Sequence, residues 1–281
     1  MILGLVDRIR LLEILGTGFF KSVGGLKVLR IWRRWNEYYA GLMVRSAETC
    51  GWSPDEVYDD VVWRTLSAVY RHAGGRFPKS PPKELPEAIV PLIKLLKWAA
   101  ERICDRNAPY TPEARAKYAE MLRAPIYRMY RQSLYSYYLV PLIKRGLVES
   151  VLSVGGGLIE PADLLELQNR HKAAFRITVQ EVNPAVAKAV AAAGFEVFLG
   201  EVDQIGESFD FATVQAVLHW ADDPVRVLSG AARVAKYVLV SQGYGPHNAA
   251  ITIATAVMGA RRYIADWREV EGWIEAAGLR P

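Results

Sequence analysis

Three consecutive glycines, Gly155 to Gly157, follow the apolar run "VLSV" and precede a segment with the pattern of a helix. This order favours a site for a phosphate, ribose or other cofactor group, because glycines let a ligand approach the backbone where a strand meets a helix. Glu181 ends the next β-rich run, about 25 residues further on, near the spacing at which an acid accepts both ribose hydroxyls in dinucleotide folds. Together these features indicate an adenosine-containing cofactor.

The glycine loop departs from two common nucleotide motifs. A nicotinamide or flavin dinucleotide requires Gly-x-Gly-x-x-Gly, and Glu160 stands at the third glycine, where its carboxylate would repel a pyrophosphate. A P-loop is excluded because no Gly-Lys-Ser/Thr follows, so the phosphates lack their lysine. The histidines show no spacing suited to metal ligands, and we predict no metal site.

The sequence changes its pattern near residue 147. Residues 1–147 read as helices, whereas from Val151 onward short β-rich runs such as "FRITVQEV" alternate with alanine-rich segments such as "PAVAKAVAAAG". This alternation predicts a parallel sheet with crossover helices. We therefore predict an all-helical N-terminal region, 1–147, and an α/β domain, 148–281.

Start and stop signals predict individual helices in the N-terminal region. Residues 1–20 form an amphipathic segment that is too charged for a signal peptide and too short for a membrane span. Ser53 is predicted as an N-cap, with Glu56 three residues later, for a helix that Gly74 closes. Further helices are predicted over 26–47, over 84–106 and from Thr111.

Residues 148–278 resemble the class I S-adenosylmethionine-dependent methyltransferases, in particular the small-molecule type close to the ubiquinone-biosynthesis group. The segment "VLSVGGGLIE" is similar to the first motif of that family, and "VQEVNPAVAKAV" to its second strand with the ribose-binding acid. The block from "LGEVDQIG" to "KYVLVSQ" has Phe-Asp, Leu-His-Trp, Asp-Pro and Arg-Val-x-Lys in the family's order and spacing. The resemblance implies a Rossmann-like sheet, S-adenosylmethionine as cofactor and methyl transfer to a small molecule.

The resemblance also implies roles for individual residues. The glycine loop would line the methionine part of the cofactor, Glu181 would take the ribose hydroxyls, and either Glu201 or Asp203 would face the adenine amino group. The full set of predicted cofactor residues is Ser153, Gly155, Gly156, Gly157, Glu181, Val182, Glu201, Val202, Asp203, Gln215 and Ala216. His219 is the candidate general base, with a structural histidine as the alternative. Trp220 is a candidate wall of the acceptor pocket, with a core aromatic as the alternative.

The tyrosine-rich stretch "APIYRMYRQSLYSYYLVPLIKRG" has more than one interpretation. The residues Tyr127, Tyr130, Leu134 and Tyr137 share a helix face that we expect to pack against other helices. In the family, helices before the first strand form a lid, which would place Tyr135 and Tyr138 at the acceptor. Alternatively, interleaved arginine and tyrosine would bind single-stranded RNA and make the chain an RNA methyltransferase.

Three departures from the family pattern favour another possibility. Ser153 stands where the family has Asp or Glu, and Ile159 stands where it has a third glycine. The family also continues past its late helix with a strand pair, whereas this sequence stops at Pro281. We expect either that the sequence is truncated there or that the sheet has an open edge covered by a second copy or a partner chain. A degenerate, non-catalytic protein that binds a partner is therefore the second alternative.

Composition and charge add broader expectations. Residues 1–149 carry 24 basic against 15 acidic residues, and residues 150–281 carry 11 against 15. Basic charge on helices is more often a solvated face than a nucleic-acid surface. Frequent Arg, Glu and Val with few Asn and Gln is typical of heat-adapted proteins. Cys50 and Cys104 are too few and too far apart for a disulfide framework, so we expect two buried apolar side chains and a cytoplasmic location.

Overall fold

The computed structural model describes residues 26–105, 111–243 and 248–280. The amphipathic segment predicted over 1–20, as well as His247, lies outside the described residues. The helices are α1 Leu26–Thr49, α2 Val61–His72, α3 Val90–Arg102, α4 Pro112–Leu122, α5 Pro125–Tyr138, α6 Val140–Lys144, α7 Ile159–His171, α8 Pro184–Ala192, α9 Pro224–Val234, α10 Ala249–Val257 and α11 Trp267–Ala276. The strands are β1 Ser150–Val154, β2 Arg176–Glu181, β3 Glu196–Leu199, β4 Phe209–Gln215 and β5 Ala235–Ser241.

The described residues form two compact units. One unit holds the sheet and comprises residues 128–242 and 268–280, and the other is helical and comprises 26–105, 111–127, 243 and 248–267. The units do not divide at residue 147, because most of α5 and all of α6 lie with the sheet. The predicted α/β architecture with a helical N-terminal region is confirmed.

In the helical unit, α10 packs against α1, α2 and α3. The amphipathic pattern of α1 is confirmed, because Trp32 and Trp35 are buried while the arginines between them are exposed. Asn36, also on α1, is 3% exposed and accepts a hydrogen bond from Ala250 N at 3.0 Å. A buried amide therefore links α1 to the first turn of α10. Among the described residues, no helix combines the length and apolar character that crossing a membrane requires.

The predicted start of α2 is wrong by about two turns. The helix begins at Val61, and Asp60 is its N-cap because Asp60 Oδ1 accepts a hydrogen bond from Trp63 N at 3.0 Å. The predicted cap, Ser53, lies in a separate turn, where its backbone N donates to Tyr58 Oη at 2.7 Å. The helix is therefore capped by the aspartate that directly precedes its apolar run, and not by the earlier serine. The predicted stop is confirmed, because Gly74 follows the helix with a φ of +59°.

The expectation for the two cysteines is wrong. Cys50 and Cys104 form a disulfide that joins the end of α1 to the residues after α3. Cys104 is exposed and Cys50 is half-buried, so neither is a core side chain. A sequence separation of 54 residues says nothing about distance in space, and the packing of α1 against α3 brings the two Cα atoms to 5.9 Å. The argument for a cytoplasmic location from the absence of a disulfide is therefore lost.

The sheet is fully parallel and has the strand order β3-β2-β1-β4-β5. The central strand, β1, pairs on both sides, with Val151 opposite Ile177 of β2 and Phe211 of β4. Strand order reverses between β1 and β4, which is where open α/β sheets bind ligands beyond the carboxyl ends of their strands. The edges of the sheet are β3 and β5, and no further strand follows β5 among the described residues.

Asp210 fixes the register at the opposite, amino-terminal edge of the sheet. Its Oδ2 accepts hydrogen bonds from Glu149 N at 3.0 Å and Ser150 N at 3.2 Å, and its Oδ1 accepts one from Lys236 Nζ at 2.6 Å. The Lys236 ammonium is the main cause that lowers the pKa of Asp210 to about 2. Asp210 is a structural residue.

Candidate functional site

The glycine loop joins β1 to α7, and its glycines are needed for different physical reasons. Gly155 and Gly157 have φ angles of +61° and +52°, in the left-handed region that residues with a Cβ rarely adopt. A Cβ on Gly156 would lie 1.9 Å from Ser153 Oγ, and a Cβ on Gly155 would lie 3.0 Å from Val217 Cγ2. The loop is a cradle of bare backbone at the carboxyl end of the central strand.

Gln180 holds this loop in place, and no sequence pattern had pointed to it. Its Oε1 accepts a hydrogen bond from Gly155 N at 3.2 Å, and its Nε2 donates to Gly200 O at 2.6 Å. The side chain is buried, so these bonds are shielded from water. The end of β2 thereby connects the glycine loop to the loop after β3. The only signal in the sequence was its position next to Glu181.

Glu160 is the centre of a buried polar cluster that we call the Glu160 cluster, formed by Glu160, Ser153, Tyr135 and Gln215. Ser153 Oγ donates to Glu160 Oε2 at 2.6 Å, while Tyr135 Oη and Gln215 Nε2 each donate to Glu160 Oε1 at 2.7 Å. Burial is the main cause that raises the pKa of Tyr135 well above its ordinary value, and the Glu160 carboxylate adds to it.

This cluster revises several expectations from the sequence. Glu160 is 4% exposed and directed into the protein, so its carboxylate does not extend into the space where a pyrophosphate would lie. Tyr135 is fully buried against Glu160 and does not line an acceptor pocket. The amide nitrogen of Gln215 is engaged by the cluster, which leaves its carbonyl oxygen as the group that can face a ligand.

Glu181 lies at the carboxyl end of β2, as predicted. Its Oε1 accepts hydrogen bonds from Val182 N and Asn183 N, both at 3.0 Å, and burial is the main cause that raises its pKa. Both backbone bonds end on one oxygen, so the carboxylate is held in a fixed direction. Val182 beside it is 55% exposed, an unusual fraction for a valine at the end of a buried strand.

The two candidate adenine-side acids have different environments. Asp203 accepts bonds on both carboxylate oxygens from Arg226, at 2.6 and 3.2 Å, and this pairing lowers its pKa. Glu201 forms a reciprocal capping box with Gln204 at the start of a short 3-10 helix. Val202 is buried between them. Because both carboxylate oxygens of Asp203 already accept hydrogen bonds from Arg226, Glu201 is the better candidate for binding the adenine amino group.

His219 follows β4, and its geometry does not support a general base. Gln242 Oε1 accepts from Leu218 N at 3.0 Å, which turns Gln242 Nε2 towards His219 Nδ1 at 2.9 Å. With that bond on Nδ1, the neutral ring carries its proton on Nε2 and has no lone pair for a substrate proton. Burial lowers its pKa to about 4. The structural alternative is therefore favoured, and Trp220 packs beside the ring with centroids 4.9 Å apart.

Ala216 marks the point where the chain leaves β4. Its φ is +52°, a left-handed conformation that is uncommon for a residue with a Cβ, and its backbone N donates to Ser241 O at 2.8 Å. Strained backbone of this kind is found disproportionately at binding sites. The observation agrees with a ligand-facing position for Ala216 at the carboxyl end of the sheet.

The predicted packing face of α5 is wrong in part, because Leu134 is buried as expected but Tyr127 and Tyr137 are only half-buried. The buried residues of this helix are Arg131, Gln132, Leu134, Tyr135 and Tyr138, whereas Tyr130 on the predicted face is exposed. The reason is a polar pairing of α5 with α7, in which Arg131 binds Asp163 and Arg128 binds Glu166. Both arginines are ion-paired and Tyr138 is buried, so Arg131 and Tyr138 do not contribute to the interleaved surface that suggested RNA binding. Tyr138 likewise offers no open surface to an acceptor.

Comparisons with known proteins agree with this architecture. Residues 152–237 match a family profile described as a methyltransferase domain, and no curated protein matches the sequence significantly. The CMeT domain of the citrinin polyketide synthase is similar in structure, with a TM-score of 0.64 and 12% identity over 98% of this chain and 90% of that chain. DszA carbon methyltransferase has a TM-score of 0.59 and 13% identity, over 96% and 89% of the two chains.

At such low identity, the two structures show a shared fold and no more. The family match begins within β1 and ends within β5, at Tyr237, so it includes the glycine loop and the acid at the end of β2. That family uses S-adenosylmethionine as its methyl donor. Residues 152–237 therefore form a methyltransferase domain of the class I, S-adenosylmethionine-dependent type.

Proposed function

We propose that this protein transfers a methyl group from S-adenosylmethionine to a small-molecule acceptor. The observation that carries the proposal is the pairing, at neighbouring strand ends, of a bare glycine cradle with the fixed carboxylate of Glu181. A cradle without Cβ atoms accommodates a ligand against the backbone, and a fixed carboxylate suits the two hydroxyls of a ribose. The residues present therefore fit the cofactor of the family.

The chain's own residues would hold the cofactor in parts. Gly155 and Gly157 would border its methionine half, Glu181 its ribose, and the exposed Val182 would cover one face of the adenine. Glu201 is the candidate for the adenine amino group. The bound donor supplies a methyl group already activated by a positive sulfur, so the protein contributes mainly orientation and exclusion of water.

The acceptor in this proposal is a small organic molecule. The similar structures include a domain of the citrinin polyketide synthase and a carbon methyltransferase, which supports this class of acceptor. Trp220, half-buried directly after His219, remains the candidate wall of the acceptor pocket. We propose no general base, because His219 lacks a free lone pair in the arrangement described above.

Thermal unfolding with added cofactor tests the proposal. A ligand present at 100 times its Kd stabilises the folded state by about 2.7 kcal/mol, which raises the Tm by about 5 °C for a chain of this size. S-adenosylmethionine and S-adenosylhomocysteine should both produce such a shift, and NAD should not. Absence of a shift at millimolar concentrations of the first two ligands contradicts the proposal.

Glu181→Gln supplies the site-specific variant, and Glu207→Gln is its matched control. Glu207 is also an acid of the sheet unit, but it binds Arg176 at 2.7 Å, at the amino-terminal edge of the sheet. We expect Glu181→Gln to reduce the shift strongly, because an amide is a poorer partner for two hydroxyl donors. Equal shifts in the two variants would refute the role of Glu181.

A further inference from the structure

The charge of the Glu160 carboxylate has no cationic partner among the residues that the structure describes. Its hydrogen bonds come from three neutral groups, on Ser153, Tyr135 and Gln215. The nearby guanidinium of Arg131 is bound to Asp163 instead. The Glu160 cluster therefore holds a buried carboxylate that is not paired with a cation, unlike the paired carboxylates of Asp163 and Glu166 on the same helix.

A buried carboxylate without a counter-ion is costly for a protein. Neutral donors offset part of the lost hydration, but the net charge remains. Three donors in a buried cluster hold the Glu160 carboxylate in one orientation, because all three hydrogen bonds end on its two oxygens. Such an arrangement is expected where a cationic ligand completes the charge balance.

The position of the carboxylate indicates where that cation would bind. A Cβ on Gly156 would lie 2.6 Å from Glu160 Oε2, so this glycine is in direct contact with the Glu160 cluster. Because Gly156 has no side chain, only backbone separates the carboxylate from the opposite face of the glycine loop. A positive group on that face would interact with Glu160 at short range and in a poorly screened environment.

Resting on the function proposed above, we propose that Glu160 is a built-in counter-ion for the cationic methionine half of the methyl donor. Glu160 acts as a positioning residue across the glycine loop, and Ser153, Tyr135 and Gln215 hold its carboxylate in place. The negative charge of this site is thus supplied from the first turn of α7, whereas the end of β1 offers only the neutral hydroxyl of Ser153. For ligands that lack the amino-acid portion, Glu160 should not increase the binding affinity.

Binding of three ligands to Glu160→Gln tests this proposal by calorimetry. The variant can keep the hydrogen bonds, since its amide oxygen can accept from Gln215 and its amide nitrogen can donate to Ser153 Oγ. We expect at least tenfold weaker binding of S-adenosylmethionine and S-adenosylhomocysteine, equivalent to about 1.4 kcal/mol. Binding of 5′-methylthioadenosine, which lacks the charged amino-acid group, should not change.

Two further variants separate charge from structure. Glu166→Gln removes another acid of α7, one already paired with Arg128 and Arg170, and should change none of the three affinities. Ser153→Asp combined with Glu160→Gln moves the charge across one hydrogen bond of 2.6 Å and should restore the preference for the charged ligands. This double variant also tests the proposal if Glu160→Gln alone fails to fold.

The possible outcomes distinguish this proposal from the proposed function. Equal loss of affinity for all three ligands in Glu160→Gln would mean a merely structural role and would overturn the proposal. Unchanged affinity for S-adenosylmethionine would overturn it as well, while the methyltransferase function would stand. If the wild-type protein binds none of the three ligands, the proposed function fails and the counter-ion proposal fails with it.

Discussion

Replacement of Gly156 by alanine tests the geometry of the site most directly. The new Cβ would lie 1.9 Å from Ser153 Oγ and 2.6 Å from Glu160 Oε2, far inside normal contact distance. Both partners are buried, so neither side chain can turn into solvent. Breaking their hydrogen bond costs about 1.5 to 3 kcal/mol, and crowding in a packed interior adds about 1 to 3 kcal/mol. We expect the free energy of unfolding to fall by about 3 to 6 kcal/mol.

Gly157→Ala is the matched control in the same loop. A Cβ there would find only Val186 Cγ1, at 3.8 Å, so no clash arises. With a φ of +52°, an alanine at this position is destabilised by about 1 to 2 kcal/mol, because its Cβ is unfavourable in the left-handed conformation. This loss is partly offset by about 0.4 to 1 kcal/mol, because alanine lowers the conformational entropy of the unfolded chain. The expected net loss is therefore at most about 1.6 kcal/mol.

Chemical denaturation of the two variants, followed by circular dichroism, measures this difference. The variants should differ by at least about 1 kcal/mol in the free energy of unfolding, and Gly156→Ala should also bind S-adenosylmethionine more weakly. Equal stability of the two variants, or a less stable Gly157→Ala, would show that Gly156 does not contact the Glu160 cluster as described.

Two other predictions concern the disulfide and the buried histidine. Cys50→Ser should lower the stability of the helical unit by about 4 kcal/mol, the chain-entropy value for a loop closed across 54 residues. Added reductant should lower the stability of the wild type by a similar amount and leave the variant unchanged. Wild-type denaturation curves that do not respond to reductant would contradict the disulfide between Cys50 and Cys104. Burial lowers the pKa of His219 from 6.5 to about 4, so the unfolded chain binds a proton that the folded chain does not, and stability should fall as pH decreases through this range. In His219→Gln, denaturation between pH 7 and pH 4 should show a smaller loss of stability, and an unchanged pH profile would refute the burial of a neutral imidazole.

Local signals in the sequence predicted the parts of the fold that depend on neighbours along the chain. The alternation of strands and helices after Val151 predicted a parallel sheet, and Thr111 was recognised as a helix cap, which its hydrogen bond from Ala114 N at 3.2 Å confirms. The start of α2 was missed because two cap signals lie within eight residues, and only Asp60 directly precedes the apolar run. Local signals rank such alternatives poorly when packing decides between them.

Pairings across the chain were not available from the sequence. The packing of α5 on α7 selects the face that carries Arg131 and Tyr135, although a tyrosine stripe on the other face looked more apolar. Cys50 meets Cys104 only because α1 and α3 pack together. Periodicity states which residues share a face, but the partner helix determines which face is buried.

The sequence by itself determined the class of site, because a glycine loop and an acid at the end of the next strand are set by short-range spacing in a parallel sheet. It also showed that Ser153 departs from the usual acid of the family, which suggested lost activity. Tertiary structure alone decided what that departure means. Folding of α7 onto β1 brings Glu160 to 2.6 Å from Ser153 Oγ, so a carboxylate is present after all, contributed by a residue seven positions later in the chain.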